Sequence, residues 1–289
     1  MANLLPLADG HRHRVLSLNR VGGWRPASWR PAIHALDFAD AAGRHRAVAY
    51  RAPPKGLRLG PAMQEIADWA AEDCAAAGFV PDLVHAHKLS VEGLAGALLA
   101  ARWGVPLALS VQGNTDLKIV RARPDLRPLY RPIWHEAAVA FPFAPWAAQA
   151  LDAALGARAG PVVPLPCPGP ADALTPPAPA PAPVIRTAFN LKDARNKNAA
   201  RLIRATARAG AEVPEIRLEI IGGGDPAAFA ALSGLAAAAP GRVRFLGAVP
   251  NAQVQRLFNE AAAFALVSHR ESYGMVFAEA LLAGAPCLI

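Results

Sequence analysis

The chain has 289 residues, 53% of them hydrophobic and 18% charged, which excludes a disordered protein and suffices for two packed domains. Its net charge of +8 is spread evenly, residues 1–183 carrying 18 basic and 14 acidic side chains and residues 184–289 carrying 12 and 8. No basic tail or block therefore marks a nucleic-acid-binding arm, and Cys74, Cys167 and Cys287 stand too far apart for a C-x-x-C metal or redox pair.

Short apolar runs predict strands over 14–19, 46–51, 82–87, 106–112, 138–143 and 161–165, with helices over 62–78 and 91–104. In "PGPADALTPPAPAPAPV" (168–184) the alternating Pro and Ala form neither helix nor central strand, which predicts a semi-rigid spacer. The chain is thereby divided into an N-terminal domain over 1–167, a linker over 168–183 and a C-terminal domain over 184–289. In the latter, strands are expected over 184–190, 216–222, 243–247 and 263–268, with helices near 196–209, 226–239, 251–262 and 274–283. This alternation predicts an α/β protein with two Rossmann-like parallel sheets, whose ligands bind beyond the carboxyl ends of the strands.

Apolar runs are broken well before the roughly 18 residues that cross a bilayer. Met1 to Gly10 lacks the basic start and apolar centre of a secretory signal. The expected setting is the cytoplasm, and the positive balance suits an anionic small molecule or the inner face of an acidic membrane.

The loops at the strand ends hold the candidate site residues. "LNRVGGWRP" (18–26) places Gly22 and Gly23 where backbone amides either approach a phosphate or simply turn. "HAHKLSVEG" (85–93) puts His85 and His87 on one face of a strand end. Zinc would need a further ligand that no nearby Cys or H-E-x-x-H pattern supplies, and a structural pair or a polar substrate pocket are the other readings. "SVQGNTD" (110–116) gathers Gln112, Asn114 and Asp116, as substrate contacts or as turn and cap residues. "FNLKDARNKN" (189–198) carries Lys192, Arg195 and Lys197, either a solvated loop or a cation cluster suited to a diphosphate. "IIGGGDPAAF" (220–229) has dinucleotide spacing at Gly222, Gly224 and Ala227, but the next strand ends "FLGAVPN" without the acid that would hold a ribose. Nucleotide contact and a tight glycine turn are both open there. In "HRESYGMVFAEALLAG" (269–284) Glu271 precedes a helix whose dipole favours it. Glu279 lies in a run apolar almost all round, where a carboxylate needs donors such as a ribose diol.

"SHRESYGMVFAEALLAGAPCLI" (268–289) resembles the E-x7-E signature of retaining GT-B glycosyltransferases, specifically glycosyltransferase family 4. "IRLEIIGGGD" and "GRVRFLGAVPNAQVQRLF" fall in that family's order and spacing, and residues 81–116 resemble its acceptor-domain core. The resemblance implies a GT-B-like fold, two Rossmann-like domains facing a cleft. The second is expected to be incomplete, because the stop at Ile289 falls inside what should be the next strand, and residues 1–289 alone are then expected to bind donor weakly. It further implies a nucleotide-sugar donor of the UDP or GDP type, a glycan, lipid-linked or small-molecule acceptor, retention of anomeric configuration, and neither metal, further cofactor nor nucleic acid.

Carried over by position, the resemblance implies that Glu271 lies against the donor sugar, with backbone amides of Ser272, Tyr273, Gly274 and Met275 on its hydroxyls. Glu279 would take the ribose, Lys197 the diphosphate, and Gly22 and Gly23 the diphosphate from the other domain. His87, Gln112 and Asn114 would face the acceptor. Phe189-Asn190 stands where the family has Gly-Arg, with Lys192 as the substitute cation, and Gln112-Gly113 stands where members often have His-Gly. A non-catalytic nucleotide-sugar-binding protein is the alternative those departures favour, and nucleic-acid binding, the third reading, predicts strongly salt-dependent affinity.

Overall fold

The computed structural model describes residues 10–22, 33–36, 45–167, 173–179 and 181–289. The chain divides into two compact units, Met1–Cys167 and Pro168–Ile289.

The first unit opens with β1 (Val15–Val21), β2 (Ile33–Leu36) and β3 (His45–Arg51), hydrogen-bonded in the order β1-β3-β2. β1 and β3 are parallel, whereas β2 runs antiparallel to β3, a departure from the all-parallel expectation. Helix α1 (Leu59–Ala76) leads to β4 (Val84–Ala86), α2 (Glu92–Trp103) and β5 (Leu107–Val111). Then come α3 (Asn114–Ala122), α4 (Arg127–Glu136), β6 (Val139–Pro142) and α5 (Pro145–Leu155), and β4, β5 and β6 form a parallel sheet in that order. All five residues of β5 are buried, as befits a central strand covered on both faces. Gly96 lets α2 lie close on that sheet, since a Cβ there would sit 3.1 Å from the Ala86 Cβ. Helix α2 stops at Gly104, whose φ of 64° only glycine adopts without strain. The expected strand over 161–165 makes a single bridge, Val162 to Ala140. Pro142 of β6 has no N–H to donate to Val163 O, so the ladder goes no further, although Leu165 N still reaches Pro142 O at 3.0 Å.

The second unit contains β7 (Ala182–Ala188), α6 (Ala199–Ala209), β8 (Arg217–Ile221), α7 (Pro226–Ala236) and β9 (Val243–Gly247). It continues through α8 (Asn251–Asn259), β10 (Ala261–Ala265), α9 (Met275–Leu282) and β11 (Cys287–Leu288). Its five strands are all parallel in the order β11-β10-β7-β8-β9. The order reverses beside β7, so the loops after β7 and β10 meet at a topological switch point, the position where open α/β sheets bind ligands. Helix α7 starts where its sequence says it should, with Asp225 accepting from Ala228 N at 2.9 Å and Pro226 in the first turn. Part of the Pro/Ala-rich stretch lies on this unit: Thr175 N donates to Leu282 O at 2.7 Å and Asn259 Nδ2 to Pro176 O at 2.8 Å. Gly284, at φ 73°, makes room for it, since a Cβ there would meet Thr175 O at 2.5 Å. Among the described residues no helix is long and apolar enough to cross a membrane.

Candidate functional site

In the second unit the loop after β7 is shaped by its own side chains. Asn190 Oδ1 accepts from Lys192 N at 3.1 Å and closes a 3-10 turn over Leu191–Asp193. Residues 266–274, after β10, run alongside. Asn196 joins the two loops, its carbonyl accepting from His269 N at 2.8 Å and its side-chain amide donating to Arg270 O at 3.0 Å. The pairing brings Lys197 Nζ to 2.5 Å from Glu271 Oε1, with the two side chains only 17% and 27% exposed. Lys192 and Arg195 point into solvent on the same loop, so of the three expected cations Lys197 alone meets the carboxylate.

Gly274 turns the chain into α9 at φ 77°, a left-handed conformation that a side chain would strain. Among the described residues the backbone N–H groups of Ser272, Tyr273, Gly274 and Met275 donate to no protein acceptor. They form a short run of free donors beside Glu271 and at the start of a helix. Glu279 lies two turns along α9, half-buried, and its burial raises its pKa above the ordinary carboxylate value. No side chain or backbone group among the described residues donates to it, so its hydrogen-bonding capacity is unspent.

The glycines of "IIGGGD" have a packing role. A Cβ on Gly222 would lie 1.8 Å from Phe189 O, and one on Gly224 3.1 Å from Asn190 Oδ1. Leu191 N also donates to Gly223 O at 3.0 Å. The glycine loop therefore supports the lysine loop from behind. Sequence reasoning missed a cavity of about 570 Å³ beside Glu271, flanked by Arg201 and Ala205 of α6 and by Leu266, Ser268 and Arg270. Ser268 Oγ is buried there and has no hydrogen-bond partner among the described residues. No sequence signal marked the cavity, since Arg201 is one of three exposed arginines on the polar face of α6, with Arg204 and Arg208.

In the first unit, the loops after β4 and β5 are fastened by Asp116, fully buried, whose carboxylate accepts from Ser90 N at 3.2 Å and Gln112 N at 2.9 Å. Burial pushes its pKa up to about 6, against the lowering effect of those two amides. Asp116, read from sequence as a possible contact, is thus a fastening. His85 Nε2 lies 2.8 Å from Ser110 Oγ, and its ring is 4.6 Å from that of His87. His87 Nε2 is buried with no hydrogen-bond partner among the described residues, and desolvation, with smaller help from His85 and Lys88, lowers its pKa to about 4. Among the described residues no cluster of three metal-ligating side chains occurs. Gln112 and Asn114 are half-buried on either side of Gly113, which sits at φ 89° against Trp146. Gly22 is exposed at the end of β1 with φ 103°, and Gly23 lies outside the described residues.

Comparison with known proteins gives this geometry a family. A structure of sucrose-phosphate synthase from Thermosynechococcus elongatus superposes with a TM-score of 0.67 at 18% identity, over 97% of this chain and 72% of that one. The lipopolysaccharide outer core galactosyltransferase WaaB, in its apo form, gives 0.59 at 18% identity over 95% and 79%. Trehalose 6-phosphate synthase from Burkholderia multivorans gives 0.60 at 13% identity over 95% and 82%. At these identities the likeness establishes the fold. No curated protein sequence matches the chain significantly. The family model described as glycosyl transferases group 1 matches residues 189–289, and the glycosyl transferase 4-like domain matches residues 2–168. That second match spans more than half of the chain, which therefore belongs to the glycosyl transferase 4-like family and has the fold of a GT-B glycosyltransferase.

Proposed function

We propose that this protein transfers a sugar from a nucleotide-sugar donor of the UDP or GDP type to a glycan, lipid-linked or small-molecule acceptor, with retention of anomeric configuration. The observation that carries this reading is the Lys197–Glu271 pair, a cation and a carboxylate brought from two loops to 2.5 Å at the carboxyl edge of a parallel sheet. Glu271 neutralises Lys197 until an anion arrives. On donor binding the ammonium turns to the diphosphate, and Glu271 is released to a sugar hydroxyl. When the bond from the anomeric carbon to the diphosphate breaks, negative charge grows on the leaving phosphate. Lys197 is already in place to receive it, which is electrostatic stabilisation without reorganisation, while the free amides of residues 272–275 hold the sugar hydroxyls. Glu279 accepts from a ribose diol, the donor pair its half-buried carboxylate lacks. Retention follows if the acceptor attacks the same face and the departing phosphate takes its proton. Lys192 acts as a second, solvent-facing cation for the diphosphate, and His87 faces the acceptor. We place the reaction in the cytoplasm, at the inner face of an anionic membrane, with neither metal nor nucleic acid required.

The test is product formation and donor affinity with a panel of UDP-, GDP- and ADP-sugars. The reading expects transfer or donor hydrolysis with one of them, and Lys197→Ala to lower kcat/KM by about 10²- to 10³-fold, the usual cost of removing one charge-stabilising donor. Folding stability should fall by about 1–3 kcal/mol, because the pair is largely covered and the variant leaves the Glu271 carboxylate without its partner. Nucleotide binding without turnover would instead support the non-catalytic reading that Asn190, spent on Lys192 N, favours. Donor affinity indifferent to both Lys197→Ala and Glu279→Ala would refute the assigned site.

A further inference from the structure

Trp146 stands in the first turn of α5, immediately after β6, and is 37% exposed. Tryptophan is the costliest side chain to leave in water, and in this domain the other described ones have been covered further or given a partner: Trp134 is fully buried with Nε1 donating to Asp152 at 3.0 Å. Trp146 has no such partner. Nothing among the described residues accepts from its Nε1. The indole is nevertheless held in place. Its Cη2 and Cζ2 edge lies against Gly113, where a Cβ would come within 2.7 Å and 2.9 Å of those atoms. Gly113 also needs its left-handed φ of 89°. The chain thus gives up a side chain at position 113 so that an exposed aromatic can lean on the loop after β5.

Gln112 and Asn114, half-buried amides that each offer donors and acceptors, flank Gly113. An aromatic face with amides beside it matches a pyranose, which has a face of C–H groups and a rim of hydroxyls. A purely apolar partner would strand the amides, and an anion would gain nothing from the indole face. The position is also the carboxyl edge of β4-β5-β6, where parallel sheets present their ligands. We propose that Trp146 is a stacking platform for a saccharide ring of the acceptor, with its Nε1–H donating to a ring hydroxyl and Gln112 and Asn114 reading others. This deepens the glycosyl-transfer reading and rests on it for the word acceptor.

The test uses the full chain labelled with 5-fluorotryptophan, in which the Trp146 resonance is the one missing from Trp146→Phe. It is titrated with the methyl glycosides of glucose, galactose, mannose and N-acetylglucosamine. The Trp146 resonance should move with at least one of them while that of buried Trp134 stays still. In turnover, Trp146→Ala should raise the acceptor KM by about tenfold, equivalent to about 1.4 kcal/mol, with kcat and donor affinity unchanged and Trp146→Phe recovering much of the loss. A Trp146 resonance indifferent to all four glycosides would overturn the platform. So would loss of donor affinity or kcat in step with the KM change in both variants, which a merely structural tryptophan would give. If the chain neither binds nor turns over a nucleotide sugar, the proposed function fails, yet the glycoside titration still decides whether Trp146 holds a sugar.

Discussion

Burial acts in opposite directions on His87 and Asp116. The imidazole is lowered from 6.5 to about 4 and the carboxyl raised from 3.8 to about 6. Between pH 4 and 6.5 unfolding lets His87 take up a proton, so its contribution to stability is lost as pH falls. Between 3.8 and 6 unfolding lets Asp116 release one, so its contribution is lost as pH rises. The two windows nearly coincide, and the effects offset each other, with the lowered pKa of His85 adding weight to the histidine side. Relative to the parent, Asp116→Asn should therefore show a urea midpoint that climbs with pH across this window, because the histidines act unopposed. His87→Gln should show one that declines. Parallel pH profiles for the two variants would show that the pair is not balanced by burial. Asp116 was legible in the sequence as a substrate contact or a turn and cap residue, because "GNTD" does not reveal that its carboxylate closes back on Gln112 and across to Ser90. The reach to Ser90 is a tertiary contact that no spacing encodes.

The strand and helix rhythm of the second unit could be read directly, since buried parallel strands are short apolar runs and its helices carry Gly, Pro or Asp at their ends. Helices α3, α4 and α5 lie between expected strands, but their bounds were not read from the sequence. Pro132 argues against a helix at α4, whereas Pro128 suits its first turn, and Tyr130, Ile133 and Trp134 bury one face and carry it. What the sequence left undecided about "IIGGGD" was decided by packing between loops. That packing makes a graded prediction. Gly222→Ala places a Cβ 1.8 Å from a backbone oxygen at φ 141°, so the lysine loop must move, and the second unit should lose about 3 kcal/mol or more. Gly224→Ala meets the end of a side chain at 3.1 Å, which can give, and should cost about 1–2 kcal/mol for its left-handed φ alone. Denaturant midpoints check the order, and equal losses would mean that the loop behind Lys197 is not what Gly222 supports. Because Lys197 rides on that loop, Gly222→Ala should also weaken donor binding where Gly224→Ala does so less.

Among the described residues, buried apolar side chains gather in cores that each belong to one unit. Leu89, Leu109, Tyr130, Trp134 and Leu151 belong to the main core of Met1–Cys167, while Ile203, Leu218, Phe258 and Phe264 belong to that of Pro168–Ile289. Each includes fully buried large side chains and its own parallel sheet, so each has what a domain needs to fold as a unit. The division at 168–183 was read from composition, because that Pro-rich run is short of N–H donors and holds one large apolar side chain, Leu174. Its seating on α8 and α9 was not, because the carbonyls that Asn259 and Gln255 bind are present at every residue and leave no mark in a sequence. If the cores are energetically separate, a core truncation should be felt on its own side only. Leu109→Ala and Phe264→Ala each remove a fully buried side chain and should each cost about 3–5 kcal/mol. Calorimetry should then show two transitions, the first variant lowering one and the second the other, with intrinsic fluorescence of Trp134 following only the transition that Leu109→Ala moves. A single transition lowered by both variants would show instead that the two cores unfold as one cooperative unit.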